Sequence, residues 1–140
     1  MRAIILVGGF GTRLRPLTNY KPKQILTVGN KPMLENVIEK LTNHGITEVI
    51  LSMGFQPSAF IDAYPDAICG GLPLKYVIEP TPLDTAGAIR FAVLQSGVDE
   101  TFLVCNGDVI TETDVSELVD YHKNIGAEAT ISLTPTDNPS

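Results

Sequence analysis

The sequence predicts a doubly wound α/β fold with a mostly parallel sheet. Short runs of aliphatic and β-branched residues alternate with segments of helical spacing. The first run, Ala3–Val7, is apolar throughout, as in a central strand that is buried on both faces. A glycine-rich loop, Glu79–Thr85 and Asn106–Asp108 each follow directly after a predicted strand. Because ligands bind outside the carboxyl ends of the strands in such sheets, the fold class also predicts where a site lies.

The predicted strands are apolar runs bounded by glycine, proline or polar residues. After Ala3–Val7 they are Ile46–Met53, Leu74–Ile78, Phe102–Cys105 and Ala129–Leu133, and a short extended piece, Ile25–Val28, leads to the turn Gly29-Asn30. A helix is expected between most of these strands. Helix followed by strand at these lengths indicates βαβ crossovers.

Each predicted helix carries an apolar stripe with residues three or four positions apart. The helices begin at Lys31-Pro32, at Pro57 and at Ala86, and a fourth follows Asp114. Their inward stripes are Leu34, Val37, Ile38 and Leu41; Phe60, Ile61 and Tyr64; Ile89, Ala92 and Val93; and Val115, Leu118, Val119 and His122. Asp84 or Thr85 is expected to cap the third helix and Asp114 the fourth. Residues 135–140 read as a loop.

Composition excludes several classes of function. The chain has 140 residues and a formal net charge of −6, so the global field attracts neither nucleic acid nor anionic membranes. No run approaches the roughly 20 apolar residues of a membrane span, and Met1-Arg2 leads straight into a strand. We expect a single cytoplasmic α/β domain without internal repeats.

The cysteines and histidines do not suggest catalysis. Cys69 and Cys105 are isolated and lack metal-ligand spacing, and Cys105 lies in a predicted strand where a thiol packs as a small hydrophobe. His44 and His122 fall near predicted helix ends, where the dipole stabilises them. No serine or cysteine has the context of a nucleophile elbow, so covalent catalysis is not predicted.

A glycine-rich, cationic stretch follows the first predicted strand. Gly8, Gly9 and Gly11 can take positive φ and leave backbone N–H groups uncovered, so that successive amides converge on an anion. Four cations come next, in a chain that is acidic overall: Arg13, Arg15, Lys21 and Lys23. This composition is typical of a phosphate-binding loop.

Two common phosphate motifs do not fit this stretch. A Walker A loop ends in Gly-Lys-Ser/Thr, whereas Gly11-Thr12-Arg13 stands here. A dinucleotide fingerprint needs a third glycine where the sequence has Leu14. Pro16 and Pro22 also disfavour a helix directly after the glycines. The glycines therefore open a long ordered loop.

The longer pattern Gly-Gly-x-Gly-Thr-Arg-Leu-x-Pro-Leu-Thr, followed by Pro-Lys, resembles the signature of the sugar-1-phosphate nucleotidylyltransferases. The resemblance extends through Lys31–Leu34, Glu79–Gly87 and Asn106–Asp108. Phe10 and Pro32-Met33-Leu34 look most like the mannose-1-phosphate guanylyltransferases, and Lys23-Gln24 looks more like the glucose-1-phosphate thymidylyltransferases. The resemblance implies a Rossmann-like fold of the nucleotide-diphospho-sugar transferase type, truncated to its N-terminal, nucleotide-binding part.

Roles for particular residues follow from this resemblance alone. Arg13 and Lys23 would be the catalytic cations that hold the triphosphate and the sugar phosphate, and Asp108 would bind Mg²⁺. The residues implied to contact the nucleotide are Leu6, Gly8, Gly9, Gly11, Thr12, Arg13, Lys23, Glu79, Asp84, Asn106 and Gly107. Asp84 departs from the glycine that most members carry. The family's second metal aspartate and its sugar-binding residues come from segments after this chain.

The resemblance implies an enzyme that joins a nucleoside triphosphate to a sugar 1-phosphate and releases pyrophosphate. GDP-mannose synthesis is the first hypothesis. The alternatives are a glucose-1-phosphate thymidylyl-, uridylyl- or adenylyltransferase, a non-catalytic regulatory or translation-initiation-factor subunit of the same fold, and, more weakly, a dinucleotide-dependent oxidoreductase. The resemblance further implies a homo-oligomer for the complete protein. Residues 1–140 alone are expected to be inactive and prone to self-association.

Overall fold

The computed structural model describes residues 1–135. It divides into two compact units, Met1–Ile110 and a second that begins at Thr111. The first unit holds a sheet, three helices and the predicted phosphate-binding loop. The second unit holds one helix, and the chain after it has no regular secondary structure up to residue 135.

The first unit alternates strands and helices as the sequence predicts. Its strands are β1 (Arg2–Leu6), β2 (Thr27–Val28), β3 (Lys31–Pro32), β4 (Glu48–Met53), β5 (Ile68–Cys69), β6 (Leu72–Ile78) and β7 (Leu103–Asn106). Its helices are α1 (Met33–Leu41), α2 (Pro57–Ala63) and α3 (Asp84–Ser96), and the helix of the second unit is α4 (Val115–Ile125). The four long predicted strands of the first unit are confirmed within two residues at each end.

The main sheet has the strand order β5-β6-β4-β1-β7. β1 pairs in parallel with β4 on one side and β7 on the other, and β4 pairs in parallel with β6, while the short β5 runs antiparallel to β6. The chain builds the sheet outward from β1 to β6 and then returns to the other side of β1. The order therefore reverses between β1 and β7, which is the switch point at which doubly wound sheets bind ligands.

Both faces of the sheet are covered. Ile4, Ile50 and Val77 lie on one face and pack with Ala92 of α3 and Val98. Ile5 and Leu51, which alternate with them, are also fully buried. Burial on both faces explains why the sequences of these strands are continuous apolar runs rather than alternations of apolar and polar residues.

The helix predicted at Lys31-Pro32 begins two residues later. Lys31 and Pro32 form β3, which pairs antiparallel with β2, and Pro32 stands at the N-cap of α1. The predicted stripe of Leu34, Val37, Ile38 and Leu41 is confirmed as the buried face of α1. Helix geometry is disfavoured in the residue before a proline, so Lys31 stays extended.

Two details of the other helices differ from prediction. The α2 stripe includes Phe60 and Tyr64, but Ile61 is exposed because it follows Phe60 directly and points to another side of the helix. Neither Asp84 nor Thr85 caps α3. Leu83 holds the N-cap position without a side-chain bond, and Asp84 is the first helical residue, with φ of 57°. The buried residues of α3 are Ala88, Ala92 and Ser96, while Ile89 and Val93 are half-buried.

The second unit confirms the predicted cap but not the predicted strand. The Asp114 carboxylate accepts hydrogen bonds from the amides of Ser116 and Glu117 at the start of α4, and Gly126 ends the helix in a left-handed conformation. Residues 129–133 form no strand, which overturns the prediction. Within residues 1–135 no other strand pairs with them, and Ile131 and Leu133 are largely exposed. An apolar run becomes a strand only when a neighbour takes up its backbone groups.

None of the helices described for residues 1–135 is long and apolar enough to cross a membrane.

Candidate active site

The candidate residues of the first unit lie at one edge of the sheet. β1, β4, β6 and β7 run parallel, so the chain that follows each of them emerges at the same edge. The glycine-rich loop follows β1, Gly54 follows β4, Glu79 follows β6 and Asp108 follows β7. Four separate stretches of sequence therefore meet at the carboxyl ends of the strands, as the fold class predicts.

The glycine-rich loop is ordered by short-range hydrogen bonds. Gly11 has φ of 61° and opens a 3₁₀ turn, Thr12–Leu14. The Thr18 hydroxyl donates to the Gly11 carbonyl oxygen at 2.8 Å, and Thr18 is buried although its neighbours are exposed. A Cβ on Gly11 would lie 3.0 Å from the Thr18 methyl group. Only Gly11 of the three candidate glycines takes a positive φ; Gly8 and Gly9 do not use that freedom.

Lys23 and Asp108 form an ion pair across the switch point. Lys23 lies in a 3₁₀ turn, Lys23–Ile25, and its ammonium group donates to Asp108 Oδ2. Both side chains are mostly shielded from solvent, with 20% and 30% of their areas exposed. The pair joins the loop after β1 to the loop after β7, although these two loops are far apart in sequence. It brings the candidate phosphate-binding cation and the candidate metal carboxylate into direct contact.

The other cations of the loop are not held in this way. Arg13, Arg15 and Lys21 are exposed, and no ion pair within residues 1–135 involves them. Arg13 stands at the middle of the Thr12–Leu14 turn, so its backbone is fixed while its side chain extends into solvent. The geometry thus brings Lys23 to Asp108 and leaves Arg13 apart from both.

Glu79 is the polar centre at the end of β6. Its carboxylate accepts hydrogen bonds from the Ser52 hydroxyl at 3.1 Å and from the Leu83 amide at 3.3 Å. A Cβ on Gly8 would lie 3.4 Å from Glu79 Oε1. Glu79 is therefore held beside the start of the glycine-rich loop, and the absence of a side chain at Gly8 leaves its carboxylate open on that side.

Gly107 packs tightly at the end of β7. Its amide donates to the Leu6 carbonyl oxygen at 3.0 Å, which continues the β1–β7 ladder past Asn106. A Cβ at this position would lie 2.6 Å from Val7 Cγ1, closer than real Cβ atoms come. Glycine is required here on steric grounds, and the tight packing fixes the backbone that carries Asp108.

Three residues for which the sequence predicts no role in the site also lie at this edge. Ser52 donates to Glu79. Gly54 approaches Gly8 so closely that a Cβ on Gly54 would lie 3.4 Å from the Gly8 carbonyl oxygen. Gln24 is 1% exposed, and its Oε1 atom is buried without a hydrogen-bond partner among residues 1–135. Gly54 follows an apolar strand, so the strand-end rule alone would have marked it.

The cysteines and histidines take no part in this edge cluster. Burial raises the pKa of the Cys105 thiol to about 11, and burial also raises that of Cys69 to about 11. Both thiols are protonated at neutral pH and are poor nucleophiles. Cys105 is half-buried rather than in the core, because within residues 1–135 β7 pairs with β1 alone. His122 lies in the second unit, where its Nδ1 is 2.9 Å from Thr130 Oγ1.

A doubly wound sheet with a glycine-rich loop at its switch point is the architecture of a nucleotide-binding α/β protein. The chain belongs to the nucleotidyl transferase family, whose model matches residues 2–140. It is 45% identical over 143 residues to the "probable mannose-1-phosphate guanylyltransferase 1" of Oryza sativa subsp. japonica; that match covers 100% of this chain and 40% of the rice protein. The chain thus spans less than half the length of this curated relative.

Two solved structures share the fold. HddC from Yersinia pseudotuberculosis, in a crystal structure complexed with GMP-PN, superimposes with a TM-score of 0.75 at 30% identity, over 86% of this chain and 53% of that one. A putative glucose-1-phosphate thymidylyltransferase from Bacillus anthracis gives a TM-score of 0.75 at 28% identity, over 89% of this chain and 50% of its own. The fold class predicted from the sequence is confirmed by these neighbours.

Proposed function

We propose that the protein transfers a nucleoside monophosphate from a nucleoside triphosphate to a sugar 1-phosphate and releases pyrophosphate, with GTP and mannose 1-phosphate as the substrates. The observation that carries this proposal is the Lys23–Asp108 pair at the switch point of the sheet. It puts a cation for phosphate next to a carboxylate for metal. Both groups stand beside a loop rich in uncovered backbone amides.

The reaction needs charge and position rather than a protein nucleophile. A sugar phosphate oxygen attacks the α-phosphorus in line, and pyrophosphate leaves on the opposite side. In this proposal Lys23 and Arg13 neutralise the phosphates, and the amides of Gly9, Gly11 and Thr12 orient them. The protonated state of both cysteine thiols agrees with a mechanism without a covalent enzyme intermediate.

Mg²⁺ fits the donors at this edge. No group of three or more His, Cys, Asp or Glu residues among residues 1–135 could hold a metal ion, so a cage made wholly of these side chains is not what the site offers. Mg²⁺ instead takes one or two carboxylates and completes its shell with phosphate oxygens and water. Asp108 would be the protein ligand. Bound there, the ion would neutralise phosphate charge.

Base recognition is assigned to the loops after β1 and β6. Glu79 stands beside Gly8, with its carboxylate fixed by Ser52 and Leu83. A carboxylate accepts hydrogen bonds from the N–H groups of guanine, which supports GTP, as do the name of the rice relative and the GMP-PN ligand of HddC. Asp84 would contribute its backbone N–H. In this proposal Leu6, Asn106 and Gly107 line the nucleotide at the β1–β7 edge.

Glucose-1-phosphate thymidylyltransferase is the second candidate. Gln24 supports it, because the dipeptide Lys23-Gln24 resembles those enzymes. A panel of the four common nucleoside triphosphates against mannose and glucose 1-phosphates, with pyrophosphate release as the readout, tests both candidates on the complete gene product. Turnover of GTP with mannose 1-phosphate alone supports the first, and turnover of dTTP with glucose 1-phosphate alone supports the second.

We also propose that residues 1–140 are the nucleotide-binding part of a larger cytoplasmic enzyme that works as a homo-oligomer. The outer edge of β7 is unpaired within residues 1–135, and Val104 on that strand is exposed. Unpaired edges favour association. Residues 1–140 expressed alone should self-associate and show no turnover, and a monodisperse monomer that releases pyrophosphate would contradict this proposal.

A non-catalytic subunit of the same fold is the remaining rival. Such a subunit does not need to retain all three of the residues Arg13, Lys23 and Asp108 in its sequence. Absence of pyrophosphate release with every substrate pair, from a complete and well-folded gene product, would favour the rival over the enzyme.

A further inference from the structure

The middle of the glycine-rich loop, Gly11–Asn19, makes no hydrogen bond described within residues 1–135 to the rest of the first unit. Hydrogen bonds described for Gly11–Asn19 stay within the loop: Leu14 to Gly11, Arg15 to Thr12, Leu17 to Leu14, Asn19 to Pro16 and Thr18 to Gly11. Most side chains from Gly9 to Lys21 are exposed. Local bonds give the loop its shape, but they do not fix its position over the sheet edge.

A ring contact joins the start of the glycine-rich loop to the chain that follows β4. The rings of Phe10 and Phe55 have centroids 5.1 Å apart and are tilted by 52°. Phe10 follows Gly9 in the loop after β1, and Phe55 follows Gly54 after β4. Offset and tilted ring pairs at this separation attract each other beyond their buried area.

The residues on either side of Phe55 hold it close to Phe10. Gly54 and Gly8 approach backbone to backbone, which sets the two loops side by side. Gln56, the next residue, has φ of 48°, a left-handed conformation that is disfavoured for a residue with a side chain. The following helix, α2, contacts the turn Lys23–Ile25. The segment after β4 therefore contacts the glycine-rich loop at both ends.

We propose that Phe55 is a positioning residue that holds Phe10 and thereby fixes the glycine-rich loop over the carboxyl edge of the sheet for binding of the nucleoside triphosphate. This inference rests on the proposed function. Phe10 lies between Gly9 and Gly11. If the ring contact is lost, the loop can therefore move away from the sheet edge, and the backbone amides of Gly9 and Gly11 and the side chain of Arg13 move with it. Phe10 keeps 54% of its surface exposed, so the contact holds the loop near its start without burying it in the core.

Limited proteolysis tests the contact without any assumption about activity. Trypsin cleaves after Arg13, which Leu14 follows, whereas proline follows Arg15 and Lys21 and blocks cleavage there. In the complete gene product, Phe55→Ala and Phe10→Ala should each speed cleavage at Arg13 by about three- to tenfold, the range for one aromatic pair. The double variant should be cleaved no faster than either single variant, because both remove the same contact.

Tyr20→Ala is the matched control. Tyr20 is an aromatic residue of the same loop that is 86% exposed, and its replacement should leave the cleavage rate unchanged. Phe55→Tyr keeps the ring and should restore the wild-type rate. Equal rates for wild type and Phe55→Ala, or a strictly additive double variant, would overturn the proposal.

Steady-state kinetics with GTP and mannose 1-phosphate separate positioning from folding. Phe55→Ala should raise KM for GTP about three- to tenfold, change kcat by less than about twofold and leave KM for mannose 1-phosphate unchanged. A fall in kcat with a lower melting temperature and an unchanged KM for GTP would show that the ring supports stability only. If the wild type turns over no substrate pair, the proposed function fails, and the proteolysis rates still decide the role of Phe55.

Discussion

Lys23 and Arg13 carry the same charge on the same loop, yet the fold treats them differently. Lys23 is half-buried and paired with Asp108. Arg13 is exposed, and no ion pair within residues 1–135 involves it. The motif thus specifies where cations occur, whereas tertiary structure decides which cation is held in place before a ligand arrives.

The difference has an energetic meaning. An exposed arginine loses up to about 2 kcal/mol of side-chain entropy when a ligand orders it, whereas Lys23 is already ordered by Asp108. In the proposed reaction Lys23 would have to leave or share its carboxylate partner to reach a phosphate. One cation is therefore held by a partner, and the other is exposed and makes no ion pair within residues 1–135.

Removal of either charge is the largest test of this contrast. Lys23→Ala and Arg13→Ala should each lower kcat by roughly 10²–10³, the loss typical of one charge-stabilising group. Arg13 is exposed, so its replacement should leave the melting temperature unchanged, whereas Lys23→Ala removes a partly shielded ion pair and should lower it slightly. Lys21→Ala, which removes an exposed cation of the same loop, is the control. Normal turnover in Lys23→Ala at unchanged thermal stability would contradict the assignment of Lys23.

Asp108→Asn removes the partner and leaves both cations in place. The amide keeps the shape of the carboxylate but binds Mg²⁺ more weakly, so activity should fall by about 10- to 100-fold and the Mg²⁺ requirement should rise. Nucleotide binding without metal should change little. A Mg²⁺ titration of pyrophosphate release measures this. A wild-type titration curve would mean that Asp108 is a turn residue and that Lys23 pairs with it for structural reasons.

Gly107→Ala tests whether the backbone that carries Asp108 depends on tight packing. The added methyl group would collide with Val7, which should lower the free energy of unfolding by about 1–3 kcal/mol in a denaturant titration. Gly9→Ala is the matched comparison, because its Cβ would lie 3.9 Å from Lys23 Cε. Equal stability of the two variants would show that the backbone at the end of β7 shifts to accommodate the added methyl group. Asp108, and the Lys23 side chain paired with it, would then be held less firmly than the structure indicates.

Ionic strength gives the smallest expected effect. Salt screens exposed charges more than shielded ones, so raising NaCl to 0.5 M should raise KM for the nucleotide in the wild type by about two- to fivefold. Arg13→Ala should flatten this dependence, and Lys23→Ala should keep most of it. The reverse pattern would mean that Lys23 is the exposed cation in solution.

Local sequence information was sufficient for most of the first unit. β1 and β4 are buried on both faces, and such strands appear in sequence as continuous apolar runs that need no long-range information to detect. The placement of the glycine-rich loop and of Asp108 at one edge followed from the parallel topology alone. The Asp114 cap was predictable because its partners are two and three residues away.

Features that depend on distant partners were not predictable. The run 129–133 has the composition of a strand, but composition does not supply a neighbour. The Lys23–Asp108 pair and the Phe10–Phe55 contact join segments whose proximity exists only once the sheet has formed. Asp84 was expected at a cap because of its residue type, whereas it is the first helical residue with φ of 57° and follows Leu83, whose amide donates to Glu79.

The strand order has a consequence for biosynthesis. β1 is made first, β4 soon supplies one neighbour, and the other neighbour, β7, arrives much later, since Ile4 pairs with Val104. Contacts so distant in sequence form slowly, because the intervening chain must be closed into a loop first. During translation the ribosome therefore exposes a half-sheet whose central strand lacks one partner, a state in which unpaired backbone invites chaperones or misassociation. Lys23 meets Asp108 only after that gap is filled, so this edge of the sheet is completed only once β7 has been made.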